Sequence, residues 1–490
     1  MHKPAFKFID LFAGIGGFHH ALEAEGGQCV LAVERDADCQ KVYRELFPDT
    51  EIVDDIRSIT FIDEETGEER NQYGERSVDE LVPDHDVLCA GFPCQPFSKS
   101  GYQEGTRDQT RGTLFYDIMT IVLAKKPQFV ILENVRNLAG PRHTHTWKTI
   151  IDSLTDAGYV VSSTPNVLSP HLFSPEDGGA PQVRDRVFIL AYRRNKTGNT
   201  PLQLHPTPGF DPDSWRIEDF LDDDAQIPNL ADYKPSKDEM AWLRAWQAFA
   251  KGIKTDYGKR KLPGFPIWVD EFQVTPNIPS GTPKWKRNFL EKNSKFYVEN
   301  REFIDEWLTR TWGQAGTVKD FPPSRRKFEW QARKTQPFRK DRNLFNLVIQ
   351  LRPSGIRVKP ASYLPALVAI TQTSIIGSRK RRITPKEGAR LQGMPADKFA
   401  KAIKQVGIRD AAAYKQLGNA VNVGVIVQFV DFCQEFFGRG ARWHLNRHGV
   451  HADASASVAF HLYIGRRGGV VAHQNGGENR GFAAGLFLEY

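Results

Sequence analysis

Three short stretches hold side chains whose types suit covalent chemistry. Gly91-Phe92-Pro93-Cys94-Gln95-Pro96-Phe97-Ser98 brackets a cysteine between prolines. Prolines confine a loop to few conformations, and a cysteine fixed in one is a candidate nucleophile once its thiol loses its proton. Glu133-Asn134-Val135 ends an apolar run of strand length and offers a carboxyl group. Gln182-Val183-Arg184-Asp185-Arg186 leads into another such run. Its arginines alternate, so both are expected on one side, facing one cleft. Cys94, Glu133, Arg184 and Arg186 together make a nucleophile, an acid and anion stabilisers, with Pro93 fixing the loop. Each has a plainer alternative. An isolated cysteine is often a small buried hydrophobe, the role read for Cys89, and either arginine could pair with a surface carboxylate.

A second set suits ligand binding. Phe12-Ala13-Gly14-Ile15-Gly16-Gly17 follows a strand-like run and opens a helical one. Glycines there admit close approach of a ligand to the backbone, and the helix start favours negative charge. The spacing is not the G-x-G-x-x-G of dinucleotide sites. Glu34 ends the next strand, where a carboxylate suits ribose hydroxyls, and Asp55 follows a third apolar patch and could accept from an adenine amino group. The set indicates a nucleoside-containing cofactor. The turn alone is equally compatible with an ordinary strand-to-helix connection.

The elements that position these residues alternate. Lys7–Phe12, Gln28–Glu34, Asp86–Gly91, Gln128–Glu133, Tyr159–Ser163 and Arg186–Tyr192 read as strands. Phe18–Glu25, Asp36–Phe47, Leu114–Leu123 and Thr146–Ala157 read as helices. The fold class is therefore α/β, a doubly wound and mostly parallel sheet with ligands at the carboxyl ends of its strands. The rhythm fades near Arg193, and eight of the ten Trp fall between there and Ser378. Helices return at Thr384–Leu391 and Val421–Phe436. We divide the chain into a first core part (1–194), a large inserted domain (195–378), a second core part (379–436) and a Gly- and His-rich tail (437–490). The tail reads as a flexible appendage, with a folded element or an upstream frame change as alternatives.

The 490 residues amount to two to four domains at roughly 100–200 residues each. The composition is that of an ordinary globular protein. No apolar run approaches the roughly 18 residues of a membrane span, and Asp10 interrupts the only apolar stretch that could start a signal peptide. Five cysteines without CxxC or ligand spacing argue against a disulfide framework or a metal site. A net charge of +7 permits a polyanionic partner without requiring one.

Taken together, the motifs resemble the DNA (cytosine-5) methyltransferases of bacterial and phage type, over about 1–194 and 379–436. DLFAGIGGF (Asp10–Phe18) is similar to the family's S-adenosyl-L-methionine turn and GFPCQPFS to its Pro-Cys loop. RGTLF (Arg111–Phe115), ENV (Glu133–Val135), QVRDR (Gln182–Arg186), RITPKEGARLQGMP (Arg382–Pro395) and GNAVNV (Gly418–Val423) follow in the family's order. The resemblance implies a methyltransferase fold with 195–378 as target-recognition domain. It implies cofactor contacts from Phe12, Gly14, Gly16, Gly17, Glu34, Asp55, Ile56, Leu114, Asn419 and Ala420. One departure is Arg35, which stands where several members have an aromatic that stacks on adenine.

The implied reaction transfers a methyl group to C5 of a cytosine flipped out of duplex DNA. Cys94 adds to C6, Glu133 holds N3 and the amino group, and Arg186, supported by Arg184, holds O2 and a phosphate. No metal is required. Ser98–Thr113 is expected to close over the DNA, with Ser98, Ser100 and Arg111 as DNA contacts. In 195–378, Lys284, Lys286 and Arg287 flank Trp285. Arg325, Arg326, Lys327, Arg333, Lys334, Arg339, Lys340 and Arg342 interleave with Phe328, Trp330 and Phe338. The cations are expected on phosphates and the aromatics in a core. The further expectations are a cytoplasmic monomer in a bacterial or phage-infected cell, no membrane partner, and a separate cognate restriction endonuclease. An RNA (transfer RNA) cytosine-5 methyltransferase is the principal alternative. A non-catalytic DNA-binding protein and a nucleotide-dependent oxidoreductase are the others.

Overall fold

The computed structural model describes residues 4–60, 76–93, 114–194, 200–253, 262–332, 342–367 and 373–437, with the side chains of the last helix described to residue 430. The expected tail from 438 onward, Cys94 and the DNA contacts expected at Ser98, Ser100 and Arg111 lie outside the described residues.

The first sheet begins with five strands, β1 (Phe6–Leu11), β2 (Gly27–Val33), β3 (Ile52–Val53), β4 (Val87–Ala90) and β5 (Phe129–Val135). They lie side by side in the order β3-β2-β1-β4-β5, each pair parallel. Then come β6 (Tyr159–Val161), β7 (Asn166–Leu168), β8 (Gln182–Val183) and β9 (Arg186–Arg193). β9 pairs antiparallel with β5 on one side and with β6 and β7 on the other. The sheet is thus α/β and mostly parallel.

Strands in such a sheet are covered on both faces, so they read as continuous apolar runs. Period-two alternation sorts them between two cores. Val87, Cys89, Phe129 and Ile131 enter one, while Leu88, Ala90, Val130 and Leu132 enter the other. The helices follow the sequence reading within two residues, at Gly17–Ala24, Ala37–Leu46, Leu114–Lys125 and Thr144–Asp156. Gly26, at φ 84, ends the first of these as a left-handed cap, its N–H donating to the Glu23 carbonyl.

The segment after the second sheet returns to this core. Helix Val423–Phe437 lies against helix Gly17–Ala24. A Cβ on Gly17 would stand 2.6 Å from the Val421 carbonyl oxygen, so only glycine admits this approach.

Between these parts lies a second sheet made of β10 (Ile267–Trp268), β11 (Lys327–Trp330), β12 (Val348–Arg352), β13 (Gly355–Lys359), β15 (Ile375–Ile376) and β16 (Arg381–Arg382), while β14 (Leu364–Pro365) pairs with β8. Helices Lys237–Gly252, Lys284–Glu299 and Arg301–Thr309 accompany the second sheet. Its core is aromatic. Trp246 stacks on Phe328 with ring centres 4.6 Å apart and meets Trp307 at 5.1 Å. Trp246 and Trp307 are buried, and so are Phe328 and Trp330, as expected of those two aromatics, whereas Trp285 departs from that expectation and Phe338 lies outside the described residues. Trp285 is 61 % exposed.

Arg342 departs from the expectation of a phosphate contact. Arg342 is buried and donates to the carbonyls of Ala250 and Ile253, at the end of helix Lys237–Gly252. Those carbonyls lack helical partners, so a buried guanidinium there satisfies both sides. Arg325 lies over the Trp242 ring and donates to the Arg352 carbonyl, Arg326 pairs with Asp270, and Lys327 lies over Trp268. These four contacts lie within the second sheet and the helices and turns beside it. Residues 333–341 lie outside the described residues.

A buried ion pair ties the second sheet to the core helices. Arg381, on β16, donates to both Glu387 oxygens at 2.8 and 2.9 Å and to Asp224 at 2.7 Å. Glu387 lies in the first turn of helix Pro385–Leu391, where its backbone N–H and the Thr384 hydroxyl complete a capping box.

Candidate active site

Because β1 to β5 run parallel, their carboxyl ends open on one edge of the sheet. There they form a cleft of about 560 Å³. Phe12, Gly14 and Gly17 come from the turn after β1. Glu34, Arg35 and Asp36 follow β2, and Asp54, Asp55 and Ile56 follow β3. Gly91, Phe92 and Pro93 follow β4, and Glu133, Asn134 and Val135 end β5. Leu114, Arg186 and the segment Gly418–Val421 complete the wall.

The turn after β1 is shaped by backbone geometry. Phe12 takes φ 58, a left-handed conformation uncommon for a bulky residue, and Gly16 takes φ 82 as it opens the helix. Of the ten expected cofactor residues, nine line the cleft. Gly16 does not. It faces backward, and a Cβ there would stand 2.3 Å from the Phe47 ring.

Glu34 braces the turn. One carboxyl oxygen accepts from Gly14 N–H at 2.8 Å and the other from Asp36 N–H at 2.6 Å. Burial raises its pKa against these bonds. Asp55 accepts from Arg57 N–H at 3.0 Å, and the Arg35 guanidinium lies 3.6 Å from its other oxygen. Arg35 thus meets the residue expected to read adenine.

At the opposite end, Glu133 pairs with Arg186 at 2.9 Å. Register explains the pair. Arg186 is opposite Val135 and Glu133 opposite Phe188, so Arg186 and Glu133 are diagonal neighbours on one face. Burial raises the Glu133 pKa, opposed by the charges of Arg186 and Arg184.

Asn134 joins this end to the proline loop, its amide donating to the Phe92 carbonyl at 2.9 Å. Pro93 and Glu133 line the same cleft. Sequence reasoning assigned Asn134 no role, and its position directly after the glutamate was the available signal. It also missed Asp36, Asp54 and Val135, which adjoin predicted residues at strand ends.

The described cysteines are poor nucleophiles. Cys29, Cys39 and Cys89 are all buried. Burial pushes the Cys29 thiol up to about 12 and raises those of Cys39 and Cys89. Cys94 follows Pro93 directly in the chain.

Arg184 departs from the expected alternation. Residues 184–185 separate β8 from β9, so period two does not hold across them. Arg186 lines the cleft while Arg184 turns inward and is buried. Among the described residues no cluster of His, Cys, Asp and Glu has the arrangement of a metal site. No described helix is long and apolar enough to cross a membrane.

Comparison with known proteins decides the family. The model of the C-5 cytosine-specific DNA methylases matches residues 6–435, spanning both sheets and every motif above. The chain belongs to that family. The methylase is 37 % identical to the type II methyltransferase M.AluI of Cellulosimicrobium cellulans, over 86 % of this chain and 90 % of that protein. It is 36 % identical to M.HpaII of Haemophilus parainfluenzae, over 86 % and 88 %. A DNA-cytosine methyltransferase of Escherichia coli K12 is 27 % identical, over 86 % and 77 %. The methylase is thus a DNA-cytosine methyltransferase.

Proposed function

We propose that the methylase transfers a methyl group from S-adenosyl-L-methionine to C5 of a cytosine flipped out of duplex DNA, through a covalent bond between Cys94 and C6. The observation that supports this best is the shared cleft. It holds carboxylates suited to a nucleoside at one end and the Glu133–Arg186 pair and Pro93 at the other.

The residues fit the cofactor. Glu34 and Asp55 supply acceptors for hydroxyl and amino groups, and Asp54 adds negative charge near a cationic ligand. Phe12, Gly14, Gly17, Ile56, Leu114, Asn419 and Ala420 would form its walls. When bound, S-adenosyl-L-methionine supplies a methyl group on an electron-poor sulfur.

The protein's part begins with the base. Cytosine C6 is hidden in a duplex, so the nucleotide must leave the stack at a cost of a few kcal/mol. The Cys94 thiolate then adds to C6, and the ring electrons move to make C5 nucleophilic. Glu133 holds N3 and the amino group and stabilises a proton on N3 as charge builds in the ring. Arg186 holds O2. Once C5 carries the methyl group, a base (by default a bound water) removes the C5 proton, the double bond re-forms, and Cys94 leaves. Residues 195–378 read the target sequence, and Ser98, Ser100 and Arg111 contact the DNA. The enzyme acts as a cytoplasmic monomer, and a separate restriction endonuclease accompanies it, the latter reading supported by the type II names of its relatives.

The test is tritiated methyl transfer to unmethylated duplex DNA followed by bisulfite sequencing, with transfer RNA as a parallel substrate. Methylation at C5 in one short context is expected. Cys94→Ala should lower transfer by roughly 10³-fold or more. Transfer to RNA instead of DNA would move the substrate, and an active Cys94→Ala would end the covalent mechanism.

A further inference from the structure

Arg184 makes contacts that neither a base-binding nor a cofactor-binding role accounts for. Its side chain is 1 % exposed and does not line the cleft. One terminal nitrogen donates to the Leu367 carbonyl at 3.1 Å and to the Gly418 carbonyl at 3.0 Å. The other donates to Gly418 at 3.0 Å and to Ala420 at 2.7 Å. Its backbone N–H donates to the Ser169 hydroxyl at 2.7 Å. Both terminal nitrogens are thus occupied by main-chain oxygens.

The two carbonyls at Gly418 and Ala420 bracket Asn419, and all three residues line the cleft. The segment has a close neighbour on its other side, since the Val421 carbonyl presses on Gly17. The third acceptor, Leu367, follows β14, which pairs with β8 just before Arg184. One buried fork therefore joins the strand leading to Arg186, the cleft wall and the chain segment that continues toward β15. A guanidinium suits this task because its donors are planar and fixed, whereas an ammonium is a point charge on a flexible stem.

We propose that Arg184 is a positioning residue that holds the Gly418–Asn419–Ala420 wall against the bound cofactor, touching neither cofactor nor base. This rests on the cofactor reading of the cleft given above. Burial lowers its pKa to about 9, so the fork stays charged at neutral pH.

Calorimetric binding of S-adenosylhomocysteine, and separately of cofactor-free duplex DNA, tests the idea on wild type, Arg184→Lys and Ser169→Ala. Arg184→Lys keeps the charge but cannot span three carbonyls. It should weaken S-adenosylhomocysteine binding about tenfold and leave DNA affinity within about twofold of wild type. Ser169→Ala removes the backbone anchor of Arg184, together with the hydroxyl's hydrogen bond to His171, and should weaken cofactor binding about threefold. In a double-mutant cycle the effects of Arg184→Lys and Asn419→Ala on cofactor affinity should be non-additive, which a general loss of stability would not produce. Unchanged cofactor affinity in Arg184→Lys, or a loss confined to DNA binding, overturns the proposal. If Arg184→Lys does not fold, Ser169→Ala decides, and unchanged cofactor affinity there overturns it. A wild-type protein that binds no S-adenosylhomocysteine removes the cofactor reading and this inference together.

Discussion

The first sheet sets its charged residues at strand ends, where Glu34, Asp55, Glu133 and Arg186 border open space. The second sheet spends similar residues internally. Arg342 closes a helix end, Arg326 pairs with Asp270, and Arg325 covers Trp242. The contrast follows from architecture. A parallel sheet covered on both faces leaves only its ends open, so polar side chains at those ends converge. A mixed sheet braced by aromatic side chains and short helices has many unsatisfied carbonyls and ring faces, and its cations are drawn to them. A basic stretch in sequence is therefore weaker support for a ligand contact than a single carboxylate that ends a parallel strand.

The largest effect expected from this comparison is at Glu133. Glu133→Gln keeps the shape but loses the titrating group, and kcat should fall by about 10²–10⁴. S-adenosylhomocysteine affinity should stay within about twofold, because the two ends of the cleft are separate. A matching loss of cofactor affinity would break the division of the cleft into two ends.

The second effect concerns the aromatic core. Trp246→Ala should destabilise the protein by about 3–5 kcal/mol in urea unfolding. Trp285→Ala should change stability by less than about 0.5 kcal/mol. Equal losses would show that exposure does not separate the two tryptophans.

The smallest effect is acid sensitivity of the first region. His19 and His20, on the helix behind the glycine turn, are held neutral chiefly by burial, with pKa values lowered to about 3 and about 4. Unfolding frees them to bind protons below their usual value near 6.5. Their stabilising contribution is full above that pH and falls as pH drops toward 4. Each should lose about 2 kcal/mol at most between pH 7 and pH 5. His20→Gln should recover up to half of the pair's loss, read from urea midpoints at the two pH values. A pH-independent difference between His20→Gln and wild type would assign His20 a packing role alone.

Much of the first region was legible because its signals are local. The runs Lys7–Phe12 and Gln128–Glu133 match β1 and β5 within two residues, and Thr384 caps its helix where the motif begins. Nine of ten cofactor candidates line one cleft because strand ends in a parallel sheet must meet. The antiparallel direction of β9 was not legible, nor was the second sheet. Its strands are short, and pairings such as β11 with β13 join segments whose own periodicity is weak.

Residue types at strand ends, the glycine turn and the order of the motifs determine the fold class and the family, since each depends on a few neighbouring residues. Three matters were decided only in three dimensions. Arg184 turns inward because the strand breaks at residues 184–185. Arg342 leaves the phosphate-binding set because Ala250 and Ile253 end a helix beside it. Glu133 meets Arg186 because β9 runs antiparallel at that register. Each outcome is a contact between segments far apart in the chain, and a hydrogen bond between such segments exists only once the fold has brought them together.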